Sequence, residues 1–319
     1  MANIASYYGV KAKTLNRSYK KFTSGFRDWD QKHHAEEYLL YPQNVTGKLS
    51  IDELALSQGE LYTFVTSKEA KGKKKSLVAI INGTESNQIT EVLNKIPQEK
   101  RNQVTEITLD MARNMESAAR YSFPNSNLVT DRFHVVRLVL DALQHLRIKY
   151  RWEAIEEENK AIALAKKEGR KYQFEVLSNG DTLKQLLARS RYLLYKFEAN
   201  WTISQQRRAT LLFEKFPLLQ NAYDKSVKFR YIYEENNRQS AHKRIVDWIE
   251  ELKNFEVDTF NTAAKSIEYN MENILNFFIN RSTNAHAESF NSKIKQFRAN
   301  QRGVRDIKFF LFRLEKLFA

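Results

Sequence analysis

KLSIDELALSQGELYTFVTSKEAKGKKKSLVAIIN, residues 48–82, holds three short runs dense in Leu, Ile, Val, Thr and aromatic residues. The runs 48–56, 60–67 and 76–82 are separated by Gly59 and by the basic turn Lys71-Gly72-Lys73-Lys74-Lys75. Short β-rich runs joined by turn residues predict an antiparallel meander. Downstream the period changes. Ile89, Val92, Leu93 and Ile96 have helical spacing over 87–101, interrupted by Pro97. VTEITL (104–109) reads as a fourth strand, 111–122 as a helix, and NLVT (127–130) as a fifth strand. Strands alternating with helices predict an α/β domain. The order three strands, helix, strand, helix, strand is that of a ribonuclease H-like mixed sheet.

On the amino-terminal side, ANIASYYGVKAKTLNRSYKK (2–21) has Ala5, Gly9 and Leu15 at the spacing of two closely crossing helices. This is part of a helix-turn-helix pattern, whose second helix would offer Lys11, Lys13, Asn16 and Arg17 to DNA. An ordinary basic helix pair fits the same residues. Residues 22–47 read as a short helical connector and a loop. On the carboxyl-terminal side strand signals vanish from about 133 to 280, and Leu138, Leu143, Leu146, Leu183, Leu187, Ile245 and Trp248 fall on helical periods. Within that block EAIEEENKAIALAKKEGRKY (153–172) reads as a charged hairpin of two solvated helix ends. The last segment, 284–318, reads as helical and basic, with a break at Gly303. The expected organisation is a helical segment at 1–47, a core made of 48–134 and 281–319, and an all-helical insertion at 135–280 that interrupts the core before its last acid.

Composition narrows the partners. Fifty-two Lys and Arg against 38 Asp and Glu leave a net charge of +14. Such an excess predicts attraction to a polyanion, of which nucleic acid is the commonest. The absence of cysteine excludes disulfides, zinc ribbons and thiol catalysis, so any metal must take oxygen or histidine ligands. No apolar run approaches the ~20 residues that cross a bilayer, and the amino terminus lacks the apolar stretch of a signal peptide. The expected setting is the cytoplasm, in association with the nucleoid.

Three acids stand where a metal-dependent DNA-cutting site would place them. Asp52 and Asp110 lie in or at the end of short strands, and Glu288 lies on a helical pattern. Carboxylates on strand ends and a facing helix can hold two divalent ions. Each has an ordinary alternative: Asp52 could be a surface acid beside an oppositely pointing Glu53, and Asp110 could cap the helix that follows. Asp131 and His134, in the Asp-Arg-Phe-His cluster, compete with Asp110 for the second position, but a structural role near the site fits them better. In RSTNAHAESFNSKIK (281–295), residues Asn284, Glu288, Asn291 and Lys295 share one helix face. One acid among amides and cations suits a metal ligand beside a phosphate backbone. Asn284, Asn291, Lys293, Lys295 and Arg298 are the expected DNA contacts there, with Lys11, Lys13 and Arg17 at the amino terminus.

The ordered set Asp52, Asp110, PNSNLVTDRFHVV (124–136) and STNAHAESFNSKIK (282–295) resembles the DDE-superfamily transposases of bacterial insertion sequences, in particular the ISL3 type. The resemblance spans roughly residues 48–318. It implies a ribonuclease H-like core with a helical insertion, a catalytic and metal-binding triad of Asp52, Asp110 and Glu288, and two Mg²⁺ or Mn²⁺ ions. It also implies DNA cleavage and strand transfer at inverted-repeat ends, within a homo-oligomer. Typical relatives begin with a cysteine-bearing zinc-binding segment and a full helix-turn-helix. Their absence here implies a catalytic part whose DNA-end reader is a separately encoded protein or has been lost. The rival readings are a DNA-binding relative or regulator of transposition without catalysis, and a nuclease that cuts without joining.

Overall fold

The computed structural model of the chain describes residues 2–57, 59–301 and 304–319. Two units emerge, one from residues 1–131 with 282–319 and the other from residues 132–281.

The first unit is built on one six-stranded sheet: β1 (Tyr38–Leu40), β2 (Lys48–Ser57), β3 (Glu60–Ser67), β4 (Leu77–Asn82), β5 (Glu106–Leu109) and β6 (Asn127–Thr130). Their spatial order is β1-β4-β3-β2-β5-β6. β2, β3 and β4 pair antiparallel as the meander predicts, whereas β2, β5 and β6 run parallel. Parallel neighbours need helical crossovers. These are supplied by α3 (Ser86–Leu93) with α4 (Gln98–Asn102) between β4 and β5, and by α5 (Arg113–Ser122) between β5 and β6. The result is the ribonuclease H-like α/β fold with a helical insertion.

Alternation along β2 sorts the two faces of the sheet. Leu49 and Ile51 join Val65, Val78, Ile81 and Ile107 beneath Ile89, Leu93, Met115 and Ala118 of α3 and α5. Leu54 and Leu56 join Tyr62, Phe64 and Ile80 on the opposite face. That face is covered by α15 (Ala285–Asn300) and α16 (Ile307–Phe318) through Phe290, Ile294, Phe310, Leu311 and Leu314. Each such side chain, fully buried, contributes about 1.5–3 kcal/mol to the core. The break expected at Gly303 lies outside the described residues.

Three expectations change. Residues 22–47 are not only connector and loop, because Tyr38–Leu40 forms β1, paired antiparallel with β4 at the sheet edge. The charged stretch 153–172 is not a hairpin. Its residues 153–167 are the distal part of one helix, α6 (Arg132–Lys167), which contains no Gly or Pro, and Gly169, two residues past the helix end, has φ +68°. The ion pair of Glu156 with Lys160 at 2.7 Å supports that continuity at helical spacing. The helix expected from 111 starts at Arg113 instead, Ala112 being its extended N-cap residue.

At the amino terminus α1 (Ala2–Tyr7) and α2 (Ala12–Ser18) are short helices that meet at Gly9, whose φ of +64° makes the turn. Ala5 is buried and Leu15 half-buried, while no residue of α2 is fully buried.

The second unit is entirely helical among its described elements: α6 is followed by α7 (Leu183–Arg189), α8 (Arg191–Leu194), α9 (Ile203–Lys215), α10 (Pro217–Ile232), α11 (Arg238–Leu252), α12 (Asp258–Tyr269), α13 (Met271–Leu275) and α14 (Phe277–Asn280). Trp248 and Phe229 meet at a ring-centroid distance of 4.7 Å in its core. Buried Asp181 is neutralised by Arg189 and by Arg208 at 3.1 Å. No helix among the described residues is long and apolar enough to cross a membrane.

Candidate active site

The parallel strands align the acids. Ser50 lies beside Thr108, and Thr108 beside Val129, in the registers of β2 with β5 and β5 with β6. Two residues further along the same side, those registers set Asp52, Asp110 and Asp131 in one row. The row crosses adjacent strands, about 4.8 Å apart in a sheet. It lies at the carboxyl ends of β5 and β6, where open α/β sheets place their ligands. Asp52 and Asp110 are half-buried, and Asp131 is buried.

Helix α15 is tied across β2 by two amides. Ser50 donates to Asn284 Oδ1, and Asn291 Nδ2 donates to Asp52 Oδ2 at 2.6 Å. The Asn284 backbone N–H donates to Asp131 Oδ1 at 3.4 Å, so the start of α15 is held by the row itself. Glu288 lies four residues after Asn284 and three before Asn291, hence on the side of α15 that these amides fix. It is exposed, at the border of the covered face.

Each aspartate is also fixed locally. Asp52 Oδ1 accepts from the Glu53 N–H at 2.8 Å, and Asp110 Oδ1 accepts from the Ala112 N–H at 2.8 Å ahead of α5. Asp110 is not the cap of α5, since Ala112 is the N-cap residue and makes no side-chain cap bond; its bond to the Ala112 N–H fixes the turn ahead of the helix. Glu53 is the neighbour that strand alternation alone understates. Burial raises its carboxyl above the ordinary range, the Asp110 charge raises it further, and a hydrogen bond with Asn114 opposes both. Asp110 stands one residue beyond β5, where its field reaches the other face of β2.

Beneath the start of α15 lies a second polar cluster. Glu106 is 2% exposed in β5. Lys68 Nζ reaches Glu106 Oε1 at 3.3 Å and Thr108 Oγ1 at 2.7 Å, and it also donates to Ser282, which in turn donates to Glu106. Burial lowers the Lys68 ammonium and the Glu106 charge partly restores it. The sequence motifs single out none of Lys68, Glu106 and Ser282 as a site residue. The available signal was an acid inside the apolar run VTEITL, since a buried carboxylate requires a cation.

The residues expected to touch DNA divide. Asn284 and Asn291 are corrected: both are buried, at 2% and 8% exposure, and their amides serve Ser50 and Asp52. On α15 the face they share is the face seated on the sheet. Lys293 Nζ donates to the Gly72 carbonyl at 2.8 Å, and Arg298 Nη1 to that of Ala55 at 3.4 Å. Lys295 is exposed on α15, and Lys11, Lys13 and Arg17 are exposed at and along α2. His134 is half-buried in the first turn of α6, in the second unit, its ring edge-on to Phe133.

The donors in and beside the row are carboxylate and amide oxygens without thiols, a set chemically suited to a hard divalent ion such as Mg²⁺. Among the described residues, however, no three Asp, Glu or His side chains are gathered tightly enough to hold one as they stand.

The family model of ISL3-type DDE transposases, described as "Transposase", matches residues 49–314. No curated protein matches the chain.

Proposed function

The chain belongs to the ISL3 family of DDE transposases, and on that premise we propose that it cuts and joins DNA at insertion-sequence ends with Asp52, Asp110 and Glu288. The observation that carries this reading is the fastening of α15 across β2. Asn284 on Ser50 and Asn291 on Asp52 tie to β2 the helix on which Glu288 lies between them.

Asp52, Asp110 and Glu288 are the assigned ligands of two Mg²⁺ or Mn²⁺ ions, which when bound would supply activation of the attacking oxygen and stabilisation of the leaving one. Asn291 orients the Asp52 carboxylate by holding Oδ2, and the Ala112 N–H does the same for Asp110 through Oδ1. Fixing ligands in advance of binding lowers the cost of forming the site. Asp131 acts as a positioning residue, since its Oδ1 accepts from the backbone at the start of α15. Lys295 and Arg298 on α15, with Lys11, Lys13 and Arg17 at and along α2, contact phosphates. They contribute affinity and little base preference. Lys293 retains donors beyond the one given to Gly72, because an ammonium has three. Joining two DNA ends calls for at least two active sites, hence an oligomer.

The experiment is strand cleavage of an end-bearing duplex in Mg²⁺, followed by scoring of joined product. Asp52→Ala and Glu288→Ala are expected to lose cleavage. Variants that both cut like the wild type would end the assignment. A second reading, a DNA-binding relative without catalysis, draws on the acids not being gathered as they stand. It predicts DNA binding with no ion-dependent cleavage under any condition, and no carboxylate-dependent binding of Mn²⁺.

A further inference from the structure

The turn between β3 and β4 carries more charge than a turn requires. Lys71, Lys73, Lys74 and Lys75 are all exposed within five residues, and among the described residues none of them makes an ion pair. Like charges this close repel one another, and a partner of opposite sign relieves the repulsion.

The backbone adds a second oddity. Lys71 has φ +51° and Lys75 φ +70°, in the left-handed region that disfavours side chains bearing a Cβ. Glycine or asparagine would occupy these positions more easily. Strain retained at charged, exposed positions points to a role for the charge.

The turn is nevertheless ordered. Lys71 N donates to the Lys68 carbonyl at 3.2 Å, Lys73 N to that of Ala70 at 3.0 Å, and Ser76 N to that of Lys73 at 3.1 Å. Lys293 of α15 closes onto the Gly72 carbonyl, so the turn is fastened to the helix that bears Glu288. A Cβ on Gly72 would meet Lys293 Nζ at 3.3 Å, with the His286 carbonyl and Phe290 Cβ at 3.8 Å. Residues 286, 290 and 293 occupy the flank of α15 away from Glu288. Lys74 also lines a cleft of about 650 Å³ with Lys95 and Lys316. Glu315 in that cleft is engaged by Trp29 at 2.6 Å and Tyr41 at 2.8 Å, leaving Asp30 as the other acid there.

We infer that the Lys71–Lys75 turn is a preformed clamp for the phosphate backbone of duplex DNA, gripping the strand on the far flank of α15 from Glu288. This rests on the reading that the chain acts on DNA. The occupant follows from charge complementarity: four exposed ammonium groups without an ion pair among the described residues, on a turn fastened to α15, complement the negative charge of a phosphate backbone, and the contact carries no sequence preference.

The test measures binding of the full chain to a fluorescently labelled 30-base-pair duplex of arbitrary sequence, by anisotropy, in EDTA and across a range of NaCl. The variant is Lys71→Gly, Lys73→Ser, Lys74→Ser, Lys75→Gly. Glycine at the two positive-φ positions removes charge while easing the backbone, and circular dichroism checks the fold. Each lost phosphate contact lowers the slope of log Kd against log[NaCl] by about 0.9, so a fall of roughly 2–4 and an affinity loss of at least tenfold are expected. A companion variant with arginine at all four positions is expected to bind like the wild type. An unchanged slope in a folded variant, with wild-type binding intact, overturns the clamp and leaves the proposed function standing. A wild-type chain without salt-dependent affinity for the duplex would overturn the proposed function, and the clamp with it.

Discussion

Asn291 Nδ2 lies 2.6 Å from Asp52 Oδ2, joining the helix that carries Glu288 to the strand that carries Asp52. A hydrogen bond to an ionised acceptor is shorter and stronger than a neutral one. The amide is 8% exposed, so water replaces it poorly. Asn291→Ala is expected to cost about 1–3 kcal/mol in urea unfolding, the range for orphaning one partner of a buried bond. Asn291→Asp sets a second carboxylate against the first and is expected to be worse at pH 7. The gap between the two variants should close as the pH falls below about 4, where one carboxyl takes a proton. A gap that persists in acid would show that repulsion with Asp52 is not its cause.

Glu53 offers a pH test in the opposite direction. Its carboxyl is raised by burial first and by Asp110 second, so the folded state holds the proton more tightly than the unfolded state. Stability then falls as pH rises from the ordinary carboxylate pKa through the raised one. Glu53→Gln removes that penalty. The variant is expected to melt above the wild type at pH 7 and level with it at about pH 4. A constant difference across the range would detach the effect from titration.

Lys68 and Glu106 form a pair with side-chain exposures of 11% and 3%. Removing one member strands the other without its counter-charge. Lys68→Ala is expected to lose about 3–5 kcal/mol in chemical denaturation, whereas Lys68→Met with Glu106→Leu should recover most of it. Failure of the double variant to recover would mean that Ser282 and Thr108 depend on the charges for their own placement.

Asp110 and Asp131 occupy the same row yet are assigned different work. Asp110→Asn is expected to abolish cleavage, because a neutral amide is a poor ligand for a divalent ion. Asp131→Asn keeps an oxygen able to accept from Asn284 N and should retain cleavage within about tenfold, roughly 1.4 kcal/mol of barrier. Equal losses in assays of the two variants would move Asp131 into the reacting set.

Ion binding also has a readout without turnover. A ligand that binds only the folded state at a hundred times its Kd stabilises it by about 2.7 kcal/mol. Mn²⁺ is expected to raise the melting temperature of the wild type, but not of a variant carrying Asp52→Ala and Asp110→Ala. Equal shifts in both would place the ion elsewhere.

The strands were legible because their cues were local. The apolar runs of 48–82 appear as β2 to β4, and 127–130 is β6 to the residue. β1 escaped because Tyr38-Leu39-Leu40 is too short to show a period, and only pairing with β4 makes it a strand. The charged run in α6 resembles solvated helix ends by composition, yet nothing within the helix breaks it. On α15 the shared face of Asn284, Glu288 and Asn291 was readable from spacing. Which way that face turns was not, because Ser50 and Asp52, more than two hundred residues away, decide it. The Glu106 network was hidden for a similar reason: Lys68, Glu106 and Ser282 come from three distant segments.

The insertion of residues 132–281 between Asp131 and Ser282 has a kinetic consequence. The Asp131 carboxylate and the Asn284 N–H meet across that whole length of chain. Closing a flexible loop of about 150 residues costs on the order of 4 kcal/mol in entropy, and it must be met before α15 can dock. If the helical segment condenses early it brings those two ends near one another. Docking of α15 then becomes the late step of maturation, and a nascent chain would carry the strand acids long before their helical counterpart arrives.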